Sequence, residues 1–292
     1  MSLQADLSVA ARNGTRWLIA AAETYSNHER VCALMHLDFC RIHFGPSHRY
    51  VHEIVRAVSD PRILDPLRRY FAKYSRYPDA NRVHALSYIL YLGSDLGLLE
   101  LPSLGRGMLQ KQVPSIQSSI ARVKDLGTAT DYYAIAHGFY RSGFRLDVSR
   151  LDALSVGLPP MSKCRDLGTR YVVDCFNYCS HFVLHRTAYL RDPAPQLAAS
   201  RQVEWLHDFW MKTPMRNDVE YLAEFINCSI ATGTWPSCKE DEEGIRLLAA
   251  QQSQNGLWRG LNRYRRYDTF HATWRATEAL VLSIATRCGA TF

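Results

Sequence analysis

The sequence predicts an all-α protein on three observations. Apolar residues recur at helical spacing through almost every segment. The alternating pattern that marks a strand is nearly absent. Glycine and proline gather in short stretches, Leu101 to Gln112 and Leu158 to Ser162, which read as connections between helices.

From the N-terminus, Leu7, Ala10, Ala11, Trp17 and Leu18 give one apolar face to a helix over Gln4 to Ala22. Val31, Leu34, Met35, Phe39 and Ile42 do the same over His28 to Phe44. Helices follow at Arg49 to Val58, Ile63 to Tyr77 and Asn81 to Leu96, the last two started by Ser59-Asp-Pro61 and Asp79. Further helices are expected at Ser115 to Val123, Thr130 to Ser142, Cys164 to Leu190, Pro195 to Met211 and Asn217 to Thr232. The final pair covers Asp241 to Gln252 and Asp268 to Thr286, and the acidic run Lys239-Glu-Asp-Glu-Glu243 suits a first turn, where the helix dipole favours negative charge.

No Gly/Ser-rich or Pro-rich linker divides the 292 residues, so one domain, 1–292, is expected. Hydrophobic residues at 47% and charged ones at 22% argue against disorder. Apolar stretches stop short of the roughly 20 residues that a membrane span needs, and a secretory apolar region is missing, so a cytoplasmic protein without a membrane span is expected. The eight cysteines form no Cys-x2-Cys pair and are expected as buried thiols. The net charge of +7 is scattered, apart from Arg263-Tyr-Arg-Arg266, so the expected partner is a small molecule, anionic or apolar, and not a nucleic acid. The oligomeric state is left open.

Ten or more helices admit an α/α toroid, a solenoid or an irregular bundle, and the lack of a period near 34–45 residues argues against a solenoid. Gln252-Ser-Gln-Asn-Gly256-Leu-Trp258, preceded by Gly244 and Leu248, resembles the Gln-x3-Gly-x-Trp repeat of the α/α toroids of terpenoid cyclases and protein prenyltransferases. Glu243 and Leu247 depart from that repeat, and Gly233-Thr-Trp235 keeps only its Gly-x-Trp end. The resemblance implies a single toroid, a double ring of antiparallel helices, and it covers residues 125–285. The first 120 residues match only as amphipathic helices. Parts of Asp131 to Tyr140 and the helix after Asn217 also resemble an uncharacterised bacterial toroid family.

Four helical segments carry polar stripes that a toroid would turn inward and that another fold would leave in solvent. Around Tyr171 to His185 the stripe holds Asp174, Tyr178, His181 and His185. Zinc through His181, His185 and Asp174 is the alternative to the expected absence of a cofactor. Tyr133, His137 and Tyr140 share a face near Asp131, suited to an apolar or cationic species. Glu220, Glu224 and Asn227 share another, on which paired carboxylates would raise a pKa if buried. His271, Arg275 and Glu278 share the last. Phe270-His271-Ala-Thr273-Trp274 resembles the Tyr-His-x-Thr pattern of a final inner toroid helix, with the tyrosine replaced.

Neither the Asp-x-Asp-Asp acid of class II cyclases nor the Asp-Asp-x-x-Asp motif of class I synthases occurs. The zinc motifs of lanthionine cyclases, hydrolase elbows, phosphate loops and dinucleotide fingerprints are also missing. The expectation is a cyclase, isomerase or lyase of a bacterial biosynthetic pathway. In it His271, Glu278, Asp131 and His137 are catalytic, with Glu278 orienting His271. Tyr133, Tyr140, Glu224, Trp258, Trp274 and Arg275 bind substrate, Arg275 by holding a carboxylate or phosphate. The competing expectation is a non-catalytic toroid that binds a partner.

Overall fold

A computed structural model describes residues 3–75, 80–99, 104–164, 169–212, 218–234, 239–260 and 266–287. These residues form helices and no strand. In chain order the helices are α1 (Leu3–Thr24), α2 (Asn27–Phe44), α3 (Arg49–Val58), α4 (Pro61–Tyr74), α5 (Ala80–Leu96), α6 (Leu104–Ile120) and α7 (Leu126–Arg141). They continue as α8 (Ser149–Asp152), α9 (Met161–Cys164), α10 (Thr169–Arg186), α11 (Arg201–Lys212), α12 (Val219–Ala231), α13 (Lys239–Ala250) and α14 (Arg266–Arg287). Single 3-10 turns at Ala153–Gly157 and Pro195–Leu197 complete the set.

Local side-chain chemistry starts several of these helices, at Asp60-Pro61 as the sequence predicts, while α7 begins at Leu126, ahead of the expected Thr130. Ser26 and Glu29 make a reciprocal capping box on α2. Asp60 caps α4 with Pro61 behind it, and Asp125 caps α7. Asp79, Trp235, Arg263, Tyr264 and Arg265 lie outside the described residues.

Helix α6 corrects the sequence reading. The stretch ending at Gln112 reads as a connection because of its glycines, yet helix starts at Leu104. Gly105 is there for packing: a Cβ would stand 2.6 Å from the Phe71 ring and 2.8 Å from Leu90, so only glycine lets α6 approach α4 and α5 this closely. The helix expected to reach Leu190 ends at Arg186, because Ala188, Tyr189 and Leu190 turn into the left-handed region with φ of 47°, 62° and 66°. The helix expected from Pro195 begins at Arg201, after the 3-10 turn.

Packing follows a closed order. Helix α2 packs on α5, α5 on α7, α7 on α10, α10 on α12, α12 on α14, and α14 again on α2. The remaining long helices lie against these six. Helix α1 covers α14 and α2, α4 covers α2 and α5, α6 covers α5 and α7, α11 covers α10 and α12, and α13 covers α12 and α14. The six described cysteines are free and buried within this core. No described helix is long and apolar enough to cross a membrane.

The Gln-x3-Gly-x-Trp segment ties these layers together. Gln252 donates from Nε2 to the Ala10 carbonyl at 2.9 Å and to that of Gly256 at 3.0 Å, joining the end of α13 to α1. Gly256 has φ +89° and passes so close to α1 that a Cβ would lie 2.5 Å from the Asn13 carbonyl oxygen. The Trp258 indole is wholly buried and donates to the Leu248 carbonyl at 2.7 Å, while its backbone N–H donates to Thr273 Oγ1 at 2.9 Å. This anchors α13 and α14 to each other. Trp258 is a core residue and not, as expected, a substrate-binding one.

Candidate active site

One cavity of about 340 Å³ takes side chains from α2, α5, α7, α10, α12 and α14 and from Tyr189. Its most polar wall lies between α12 and α14. Asp218 starts α12 by accepting from the Glu220 and Tyr221 N–H groups, and burial pushes its own pKa up to about 6. That cap places Glu220 in the first turn and Glu224 one turn on, both lining the cavity.

On α14 the stripe His271, Trp274, Arg275 and Glu278 meets them. His271 Nδ1 lies 2.9 Å from Glu220 Oε1, with the side chains 14% and 29% exposed. Burial alone would raise Glu220. The charge and hydrogen bond of His271, with the charge of Arg275, outweigh it and hold the carboxyl below its ordinary range. Glu278 does not orient His271, contrary to the sequence reading. It accepts from Trp274 Nε1 at 2.7 Å and from Arg275 at 3.2 Å, and burial lifts its pKa to about 7.

Arg275 is the hub of this wall. Its Nε lies 3.2 Å from Glu224 Oε1, an ion pair without good hydrogen-bond alignment. Its guanidinium donates to Glu278 and to the Tyr189 hydroxyl and lies over the rings of Trp274 at 4.2 Å and Tyr189 at 5.2 Å. Glu224 is fixed from its other side by Ser180 Oγ at 2.7 Å. Two carboxylates thus share the guanidinium charge, which weakens its pull on a substrate anion.

Tyr189 reaches the cavity only because of the left-handed turn after α10. Three consecutive non-glycine residues in that region cost on the order of 1–2 kcal/mol each. The turn is held by the Tyr189 N–H donating to the Leu184 carbonyl and by the Leu190 N–H donating to Thr187 Oγ1. The reward is a ring stacked on Trp274, 6.3 Å between centroids and 14° between planes. Strain held in place by surrounding bonds is characteristic of functional sites.

The remaining walls carry His28 on α2, His84 and Tyr88 on α5, Asp131 on α7 and His181 on α10. Burial lowers the pKa of His28, brings that of His84 to about 4 and that of His181 to about 3. Burial, with Asp125 behind it, raises that of Asp131.

Of the residues predicted from sequence, His271, Asp131, Glu224, Trp274, Arg275 and His181 line this cavity. Others do not. His137 is 2% exposed and sits beyond the wall, against Tyr88, Tyr91 and Tyr189, with neither ring nitrogen hydrogen-bonded. Tyr133 is buried and donates to Asp152 Oδ1 at 2.6 Å, and Tyr140 is 44% exposed on the outside.

The α10 stripe splits, because α7 and α11 cover that helix on two sides. Tyr178 is buried and donates to the Leu151 carbonyl, His185 packs on Tyr133, and Asp174 lies beside Gly127. His181, His185 and Asp174 therefore do not converge on a metal position. Among the described residues the trio that does is Glu220, Glu224 and His271, with donor atoms within 4.8 Å of one another. Two carboxylates and an imidazole suit a divalent ion such as zinc or manganese.

His28, His84, Tyr88 and Tyr189 were not singled out from sequence. Each polar group stands alone on an apolar helix face or in a turn, and no stripe marks it.

No family model, no curated protein and no solved structure matches the chain.

Proposed function

We propose that the chain is an α/α toroid with α2, α5, α7, α10, α12 and α14 as its inner ring, and that it is a small-molecule enzyme, a cyclase, isomerase or lyase. The closed packing order of those helices supports the first part. The second rests on one observation: His271 Nδ1 and Glu220 Oε1 lie 2.9 Å apart in the wall of a cavity. An imidazole whose Nδ1 is held by a carboxylate has a fixed ring orientation.

His271 acts as the general base or acid and Glu220 positions it. Asp131, on α7, stands three helices away in the packing order in either direction, so it faces the substrate from the opposite wall. Burial raises its pKa, which makes its carboxylate a stronger proton acceptor. Glu224 is fixed by Arg275 and Ser180 and shapes the wall between them. Proton removal at one wall and delivery at the other is the requirement of an isomerase or lyase.

The test is untargeted mass spectrometry of a metabolite extract incubated with the wild-type chain and with His271→Ala. Product signals formed by the wild type and lost in a folded His271→Ala variant are expected. Identical signals from both proteins, or none from either, would favour a binding scaffold.

A further inference from the structure

The charge around the cavity identifies a ligand class, on the reading that this cavity is the reaction site. Asp131, Glu220 and Glu224 line it, and Glu278 stands behind Arg275. Among the described lining residues, Arg275 is the one permanently charged cation, set against the three carboxyl groups of Asp131, Glu220 and Glu224. It is shared between Glu224 and Glu278. His84 and His181 stay neutral near pH 7, because burial brings them to about 4 and about 3. Asp131, on the opposite wall, makes no ion pair among the described residues.

The same wall shows how a cation is held here. The Arg275 guanidinium has carboxylates on two sides and lies over the rings of Trp274 and Tyr189. Negative charge combined with ring faces is an arrangement that favours organic cations over both anions and neutral molecules. The volume of about 340 Å³ sits at the small end of the roughly 300–1,000 Å³ that ligand pockets span.

We propose that the cavity binds an organic monocation, a protonated amine on a compact ring or alkyl body. Its ammonium head is directed to Glu220, Asp131 adds to the negative field from across the cavity, and Tyr88 and Trp274 form the apolar walls. Arg275 is then part of the scaffold that shapes the acidic wall. This reverses the expectation, drawn from sequence, of an anionic substrate held by Arg275.

Calorimetric titration of the full chain with 2-phenylethylammonium, 2-phenylethanol and phenylacetate tests the charge preference at nearly constant shape. The ammonium is expected to bind roughly tenfold tighter than the alcohol, with phenylacetate weakest. Glu220→Gln and Asp131→Asn, checked for folding by circular dichroism, should each weaken the ammonium and leave the alcohol unchanged. Ala85→Phe, which fills the cavity, should abolish binding of all three.

Phenylacetate or phenylethanol binding as tightly as the ammonium, with Ala85→Phe blocking both, overturns the charge class and leaves the cavity as a site. Ammonium binding that survives Ala85→Phe, or that is untouched by both carboxylate substitutions, overturns the proposal by placing the cation elsewhere. Tight zinc or manganese binding at Glu220, Glu224 and His271 that excludes the ammonium also overturns it. No heat with any probe overturns the proposal and leaves the reaction to be judged by the His271→Ala comparison alone.

Discussion

Arg275 Nε lies 3.2 Å from Glu224 Oε1 with both side chains almost wholly out of water, 3% and 5% exposed. The pair joins α14 to α12 and, through Glu278 and Tyr189, fixes the floor of the acidic wall. Removing one member of a buried pair leaves an uncompensated charge, which costs about 3–5 kcal/mol. Arg275→Met is therefore expected to lose stability on that scale in denaturant unfolding. The double variant Arg275→Met/Glu224→Gln should recover part of the loss. Equal stability of wild type and Arg275→Met would show that the pair is not formed.

The buried histidines set a pH dependence whose sign is fixed. His36 and His181 are lowered to about 3, and His43, His84 and His185 to about 4, in each case chiefly by burial. Each folded value lies below the unfolded one near 6.5, so the unfolded chain binds more protons between them. Stability is fully present above pH 6.5 and is lost as pH falls toward 4, at roughly 1.4 kcal/mol per pH unit for each fully shifted group. Glu278 works in the opposite sense, since its folded value near 7 exceeds the unfolded one and favours folding at lower pH. Asp218, near 6, and Asp131, also raised, act in the same sense as Glu278, and the five histidines outweigh these three carboxyls. Denaturant midpoints at pH 7 and pH 5 should show a marked drop at pH 5, and a flat or rising profile would contradict the burial of these rings.

Trp258 and Gly256 predict structural effects. Trp258→Ala empties a fully buried site and removes the bond to the Leu248 carbonyl, with an expected cost of about 3–5 kcal/mol. Gly256→Ala meets both the positive φ and the Asn13 carbonyl. Both should lower the melting temperature, and a soluble Trp258→Phe variant should keep ligand binding. Loss of binding by a stably folded Trp258→Phe would return the indole to the site.

Much of the helix order is legible in the sequence because it depends on local periodicity. The tie among α1, α13 and α14 is legible too, because Gln252, Gly256 and Trp258 carry it within seven residues. The start of α6 is not, since Gly105 is chosen by Phe71 and Leu90, which lie far away in sequence. In the site, a stripe on one helix reveals His271 with Arg275, and Glu220 with Glu224. It cannot show that His271 pairs with Glu220 across two helices and not with Glu278 on its own. Tyr189 is hidden because a left-handed run of Ala188, Tyr189 and Leu190 has no glycine to announce it. Tyr133 and His137 fit a cavity-facing pattern equally well, yet the packing of α7 turns them into the core.

The Tyr189 hydroxyl accepts a hydrogen bond from the Arg275 guanidinium. Tyr189→Phe keeps the stack on Trp274 and should cost about 1–3 kcal/mol, as expected for a bond to a charged group. Chemical unfolding checks the stability, and tryptophan fluorescence reports whether Trp274 keeps its surroundings. An unchanged stability would mean that Arg275 is held by its two carboxylates alone.

The most direct measurement of His271 as the acid–base group is the rate of product formation by Glu220→Gln, once the wild type has revealed a product. With the imidazole no longer held by a carboxylate, the rate should fall by roughly 10²–10⁴-fold while the circular dichroism spectrum is unchanged. A folded Glu220→Gln variant turning over at the wild-type rate would contradict the assignment of the reaction to this pair.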